Sequence, residues 1–564
     1  MIRLVITLAG WILAPLVVAK YRRLCSTCNE VQFKLLMKFI KTNANSHFGR
    51  EHKFSEIKTR EDFKRLVPIR TYSEFEPYIE AVREGETQAL FSAKEKVIAF
   101  HLSSGTTATP KYIPVTKTFY KHHKQIWGYY YGYLFKHNPG ILRGKIFPFY
   151  SPVSEFFTDL GVPCGSDSGL IAEKQSKLLA STYAAPWEAY QIQTIDEKYY
   201  ALVRFAIQED VSFIIGSNPI IMLYMGRILN AKKEQFIEEI RTGVIDEGLN
   251  IPEKIKTALR KKAKKLQSPK RAAQLERIMK ETGTLRPVDI WPKLCVIATW
   301  KGGTLNLPLE LFPNYFGDLP IWALGLHSSE GRYSITLDAE GSWGCLAITN
   351  NFYEFIPEAQ KDLPNPETKL AHELETGERY GLIITTASGF YRYNLEDLIE
   401  CVGHYEKAPM VRFLNKISQN LNLQGANIYE YQLVEAVRLA IRKYHRYVQY
   451  FQFHPTTNKF GKSALAGIFE HQDGIGPPEW RDFLNTADKG LQKINPDYGK
   501  LRSAGKIGPM ELRIVPEHTF ENIKRERIKT SGIRLVEQFK HRYLVEDPYH
   551  HQQFIIMDTL DEVA

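Results

Sequence analysis

Neither a G-x-S-x-G elbow nor a G-x-G-x-x-G fingerprint occurs in the 564 residues, so the usual signs of a hydrolase nucleophile turn and of dinucleotide binding are missing. Cysteine is sparse. Six over this length make no disulfide framework. Cys25 and Cys28 form a C-x-x-C, yet no second pair stands at zinc-ribbon spacing and no thioredoxin-like pattern surrounds it. The histidine doublets His122-His123 and His550-His551 lack the i, i+4 spacing of a zinc helix. Internal repeats and low-complexity tracts are also absent.

What is present is an ordinary globular composition, 44% hydrophobic and 24% charged, long enough for a large body and a smaller domain. The net charge of +11 suggests polyanionic ligands or an anionic membrane surface and says little about fold. Much of the excess lies in residues 254–280, where Ile255, Leu259, Ala263 and Leu266 recur at helical spacing and leave the lysines on a solvated outer face. No interleaved aromatics or known module support nucleic-acid binding there. Residues 4–19, LVITLAGWILAPLVVA, are apolar and end at Lys20-Tyr21-Arg22-Arg23. The run is short for a span of about 20 residues and Pro15 interrupts it. A secretory leader ending at Val17-Val18-Ala19 is one reading. The preferred reading is a helix that packs on the body or rests on the inner membrane surface.

Residues 29–95 read as helical, with capping boxes at Thr59-Arg60-Glu61-Asp62 and Thr71-Tyr72-Ser73-Glu74. The apolar run Val97-Ile98-Ala99-Phe100 reads as a buried strand that empties into Ser103-Ser104-Gly105-Thr106-Thr107, with Lys111 following. Hydroxyls, backbone N–H groups and a mobile lysine suit a phosphate. The stretch is not a Walker-A loop, because Pro110 and Tyr112 replace its glycine and its Ser/Thr. An ordinary polar strand-to-helix turn is the plainer alternative. A tyrosine-rich helix over residues 116–137 follows, as core or as the wall of a carboxylate pocket.

From Lys145 short apolar strands alternate with helices, which predicts an α/β sheet with covered faces. Two polar clusters follow strands: His327-Ser328-Ser329-Glu330-Gly331, and Gly389-Phe390-Tyr391-Arg392-Tyr393 with Asn394-Leu395-Glu396-Asp397. Ligands lie at such strand ends in open α/β sheets, and a carboxylate there can accept both hydroxyls of a ribose. Arg392 and Asp397 paired with each other is the structural alternative. The polar segment 415–425 marks a domain boundary, and the remainder reads α+β.

Taken in order, the three clusters resemble those of the auxin-responsive Gretchen-Hagen-type acyl-acid amido synthetases, a branch of the adenylate-forming superfamily. The similarity runs from Asn43 through Asn45-Ser46-His47-Phe48-Gly49 to Gln538-Phe539-Lys540 and Tyr543. The resemblance implies a large adenylation domain (24–415), a hinge (416–425) and a small mobile domain (426–564) behind the apolar segment 1–23. It assigns phosphate binding to Ser103, Ser104, Gly105, Thr106, Thr107 and Lys111. Ser328 and Ser329 approach the nucleotide, Glu330 holds Mg²⁺, and Tyr393 and Asp397 serve the nucleoside, Asp397 on the ribose. Lys416 belongs to the hinge, and Lys540, with Thr106 and Lys111, to catalysis of adenylation.

The function so implied is ATP-dependent activation of a carboxylic acid and its transfer to an amine, an amino acid by class. It implies a cytoplasmic enzyme with no nucleic-acid partner and with membrane contact through residues 1–23. The rivals are the same activation with a thiol acceptor, and a non-catalytic relative binding nucleotide or membrane. Three positions depart from the family pattern: Ala108 and Glu396 where glycine is usual, and Leu326 where an aromatic meets adenine. Loss of that aromatic forfeits about 1 kcal/mol of stacking. Glu396 is expected to turn outward, since neighbours on a strand face opposite sides.

Overall fold

A computed structural model describes residues 2–103, 110–151, 154–531 and 541–561. Ser104, Gly105, Thr106, Thr107, Ala108 and Lys540 lie outside the described residues. The chain divides into two compact units. The first comprises residues 1–301, 312–395 and 399–413; the second comprises 302–311, 396–398 and 414–564.

In the first unit, local signals fix the early helices. Helix α1 (Ile2–Ser26) is followed by α2 (Cys28–Thr42). Both expected capping boxes form: Thr59 Oγ1 accepts from Asp62 N at 3.1 Å, and Thr71 N donates to Glu74 at 2.8 Å. Each satisfies orphan N–H groups that a helix start would otherwise leave bare.

Strand β1 (Val97–Ser103) pairs antiparallel with β2 (Lys111–Thr116), Ser103 opposite Lys111. The segment after the loop is therefore a second strand of a hairpin. It is not the start of a helix, which corrects the strand-to-helix alternative. Thr116 then caps the tyrosine-rich helix α3 (Lys117–His137), accepting from Phe119 N at 3.0 Å. That helix is largely core: Ile126, Tyr129, Tyr130 and Tyr133 are buried.

The α/β expectation holds. Lys145–Pro148, Val211–Ile215, Val296–Thr299 and Ile321–Ala323 form a four-stranded parallel sheet in sequence order. A separate seven-stranded sheet contains Arg379–Thr385 and the long strand β3 (Tyr393–Tyr405). The basic segment breaks at Ser268-Pro269 into Glu253–Lys265 and Pro269–Thr282. Leu259 and Ala263 are buried, whereas Leu266 at the break is exposed. Its charges are answered at the surface, as by Arg260 with Glu253 and Lys262 with Glu188.

The second unit is mixed α+β. Phe451–Thr457, Ser463–Glu470, Glu511–Val515 and Asp558–Asp561 form one sheet, parallel only between the middle pair. Helices Glu430–Tyr444 and Pro477–Ile494 pack apolar faces onto its core through Leu433, Val437, Phe483 and Leu484. Residues 415–425 include the strand Asn420–Leu423, which forms a hairpin with Ala426–Tyr429.

Glu396 lies exposed while Asp397 beside it is buried, so Glu396 turns outward as expected, although Asp397, Leu398 and Ile399 are buried in succession and the strand's alternation is broken here. The φ of 58° at Glu396 adds a second reason why glycine is usual there. That left-handed conformation costs a side-chain-bearing residue about 1 kcal/mol. Chemical denaturation should therefore rank Glu396→Gly at least as stable as the parent and Glu396→Val less stable by ~1–2 kcal/mol, since a β-branched side chain tolerates positive φ worst.

Candidate active site

The site of the first unit is built from segments far apart in sequence. Strand β1 delivers the first cluster at Ser103, and β2 returns with Lys111, whose Nζ lies 5.0 Å from the centre of the Tyr72 ring. Tyr72 is fixed in turn: Tyr112 N donates to its hydroxyl at 2.8 Å. Burial foremost, with nearby carboxylates including Glu330, pushes its phenol up, so it stays protonated at any working pH.

The second cluster forms a tight two-stranded hairpin, His327–Ser328 with Gly331–Arg332, placing Ser329 and Glu330 at its turn. That turn is bonded to the end of β1. Ser329 Oγ donates to Leu102 O at 3.0 Å, and His101 Nδ1 donates to Ser329 O at 3.1 Å. Glu330 is only 5% exposed. Ser328 Oγ donates to one of its oxygens and the Tyr393 hydroxyl, at 3.5 Å, to the other. Ser103, Lys111, Ser328, Ser329, Glu330 and Tyr393 are thus linked through one small region of this unit.

Tyr391 and Tyr393 are aimed by what lies beneath them. Asn43 Nδ2 donates to the Tyr391 hydroxyl at 2.8 Å, and Phe48 stacks on the Tyr391 ring at 5.2 Å. Gly49 allows the close approach, since a Cβ there would stand 2.2 Å from Asn43 O. The Asn45-Ser46-His47-Phe48-Gly49 stretch is therefore scaffolding for the third cluster. Arg392 is buried with φ 51°. Its guanidinium pairs with Glu354 at 2.9 Å and donates to Val67 O at 2.9 Å. The proposed Arg392–Asp397 pair is thereby corrected: in the second unit, Asp397 pairs with Lys416 at 2.6 Å.

A half-buried carboxylate beside His101, Asp167, escaped sequence reasoning. Asp167 Oδ2 lies 3.3 Å from His123 Nε2, and its Oδ1 lies 3.7 Å from His101 Nε2. Burial alone would raise the Asp167 carboxyl, but His123, His101, His327 and Arg332 together outweigh it and hold it below the usual range. Arg332 lies over Trp127 and Tyr130, at 4.1 and 4.6 Å, and burial lowers it to about 10. Trp300 Nε1 donates to His327 Nδ1 at 3.0 Å, which suits a neutral imidazole with its proton on Nε2. No spacing rule joins Asp167 to residues 101, 123, 327 and 332.

The residues suit a nucleotide and its metal. Mg²⁺ takes one or two carboxylates and completes its shell with phosphate oxygens and water, so a single buried Glu330 is enough. Among the described residues no group of three or more His, Cys, Asp or Glu could cage a metal by itself. A carboxylate offers about four lone-pair sites, so Lys416 leaves Asp397 capacity for ribose hydroxyls.

The chain has the fold of the solved GH3.15 acyl acid amido synthetase, on which it superposes with a TM-score of 0.81, covering 96% of each chain at 20% identity. Residues 17–321, 344–416 and 414–549 match the N-terminal, central and C-terminal domains of the GH3 family. The chain belongs to the GH3 family, as the resemblance of its motifs implied. Its relatives include the jasmonoyl–L-amino acid synthetase JAR6 of Nicotiana attenuata, 23% identical over 93% of this chain and 92% of that one. The 4-substituted benzoates–glutamate ligase GH3.12 of Arabidopsis thaliana is 24% identical over 89% and 90%. The indole-3-acetic acid-amido synthetase GH3.3 of the same plant is 22% identical over 87% and 86%.

The half-buried His327 carries a pH dependence. Burial foremost, with Arg332 beside it, pushes the His327 imidazole down to about 3. Below about pH 6.5 the unfolded chain takes up a proton here that the folded chain refuses until about pH 3, so this contribution to stability falls with falling pH by about 1.4 kcal/mol per unit. Urea melts of His327→Gln between about pH 4 and 6 should lose a slope of that order. Some slope should remain, because burial also holds His122 and His454 down to about 4.

Proposed function

We propose that the chain is an ATP-dependent ligase that adenylates a carboxylic acid and transfers the acyl group to an amine, an amino acid by class. The observation that carries this reading is the bonding of the Ser329 turn to β1, which brings Glu330 and Tyr393 to the strand that delivers the phosphate-binding segment.

In the first step a carboxylate oxygen attacks the α-phosphorus of ATP. The bond from that phosphorus to the β-phosphate oxygen breaks, and pyrophosphate leaves. Reactants and leaving group are both anionic, so the barrier is chiefly charge crowding. Lys111, the hydroxyls of Ser103, Ser104, Thr106 and Thr107, and the Gly105 backbone N–H answer it, and Lys540 supplies a further cation. Bound Mg²⁺ supplies charge neutralisation on the phosphates, with Glu330 as its carboxylate ligand. Ser328 and Tyr393 hold that carboxylate in place. Asp397, positioned by Lys416, accepts the ribose hydroxyls. In the second step the amine nitrogen attacks the acyl carbon, AMP leaves with the bonding pair, and the nitrogen gives up a proton. The small domain (426–564), turning about 416–425, withdraws Lys540 and admits the amine. The ATP requirement places this work in the cytoplasm.

Carboxylate-dependent exchange of labelled pyrophosphate into ATP, run over aryl and aliphatic acids, tests the first step. At least one acid should support exchange, and silence across the panel at saturating ATP would refute it. Adding an amino acid or a thiol to the adenylate and identifying the product tests the second. Asp397→Ala should raise the KM for ATP, whereas Lys540→Ala should depress exchange with the fold intact. Leu326→Tyr, which restores an aromatic where adenine is expected to lie, should lower the KM for ATP about fivefold, the equivalent of ~1 kcal/mol of stacking.

A further inference from the structure

Helix α1 is apolar on two sides: one is buried in the first unit, and the other is exposed, with Trp11 at its edge meeting the Phe135 ring at 5.7 Å. Ala14, Val18, Tyr21 and Cys25 recur at helical spacing and are buried in the first unit. Gly132 on α3 lets Val17 come close, since a Cβ there would stand 2.9 Å from it. Tyr21 donates to Leu346 O at 2.7 Å, so this face is pinned.

Leu8, Trp11, Ile12, Pro15, Leu16 and Ala19 recur at the same spacing on the other side, and all are exposed. Leu8 is 55% exposed, Trp11 56%, Ile12 66% and Leu16 63%. One such residue on a surface is commonplace; a continuous row of six on one helix is a docking face. The row runs on into Arg22 and Arg23 on the same arc, with Lys20 at its edge, and α1 contains no acidic residue. Arg22 is steadied by Glu406 at 2.6 Å.

We infer that α1 lies in the plane of an anionic lipid surface, its leucines, isoleucine and tryptophan among the acyl chains and its cations at the headgroups. Such a surface takes apolar and cationic groups together. A second copy of the chain is a poorer occupant. In a two-fold contact the same patch meets itself, and α1 offers no carboxylate to answer the cations brought over the partner's leucines. Spanning is not the mode, for among the described residues no helix is long and apolar enough to cross a membrane. The inference is independent of the amide-forming reaction.

Flotation of the full-length protein with vesicles tests it. The protein should float with vesicles of phosphatidylcholine containing about one third phosphatidylglycerol, and far less with phosphatidylcholine alone, the difference shrinking as salt screens the headgroup charge. The triple variant Leu8→Ser, Ile12→Ser, Leu16→Ser should partition at least tenfold less, and Lys20→Glu with Arg23→Glu should lose the preference for anionic vesicles. Both should keep the parent's circular dichroism and pyrophosphate exchange, which separates lost docking from lost folding. Three results would overturn the inference: no flotation at low salt, flotation undiminished in the triple variant, or a solution dimer of the parent that the triple variant makes monomeric while neither binds vesicles.

Discussion

Two hydrogen bonds, from Ser329 to Leu102 across 227 positions of chain and from His101 to Ser329 across 228, hold β1 and the Ser329 turn of the first unit in register. Each is worth only about 1 kcal/mol net, so they are not what keeps the protein folded. Their weight is in what they forbid. If the turn shifted by one residue, a buried carbonyl and a buried imidazole would lose their partners, each at a cost of about 1–3 kcal/mol. The apolar packing of β1 and α3 supplies stability; these polar contacts select which of the similarly packed arrangements is kept.

The same division of labour runs beneath the third cluster. Glu354 is buried and answered by Arg392 and by Thr368 Oγ1 at 2.8 Å, while Arg392 also reaches the carbonyls of Lys64 and Val67. A buried ion pair contributes little over an apolar substitute, but deleting one member leaves a stranded charge at a cost of about 3–5 kcal/mol. Arg392 adopts a left-handed backbone conformation to make this set of bonds. The strain is tolerable because the surroundings over-determine the position. Tyr391 and Tyr393, on either side of Arg392, are thereby turned toward Asn43 and Glu330.

What the sequence made legible was whatever depends on neighbours along the chain. The capping boxes at Thr59 and Thr71 follow from residues three apart, and the strand at Val97 follows from an apolar run. The α/β alternation from Lys145 predicts the parallel sheet. The hairpin return at Lys111 was hidden, because KYIPVT carries a proline and a lysine where a strand usually advertises itself. The structural alternative of an Arg392–Asp397 pair does not form, because their partners, Glu354 and Lys416, come from other strands. The family resemblance named Glu330 and Asp397, but it could not have named Asp167, whose neighbours at 101, 123 and 327 meet only in three dimensions.

Charge is handled in two different ways by this molecule, and the contrast bears on how it meets a polyanion. Inside, each acid has a specific answer: Glu354 has Arg392, Asp397 has Lys416, and Asp167 has a ring of imidazoles with Arg332 beyond. Such groups respond to geometry and hardly to salt, because burial shields them from mobile ions. Outside, the basic helices of residues 253–282 and the end of α1 hold their cations at the surface, where ionic strength screens them within about 10 Å. A net charge of +11 distributed this way sets up a positive field that reaches beyond the surface. Geometry fixes the buried acids instead: in the first unit Ser328 and Tyr393 hold the Glu330 oxygens, and in the second Lys416 holds the Asp397 carboxylate.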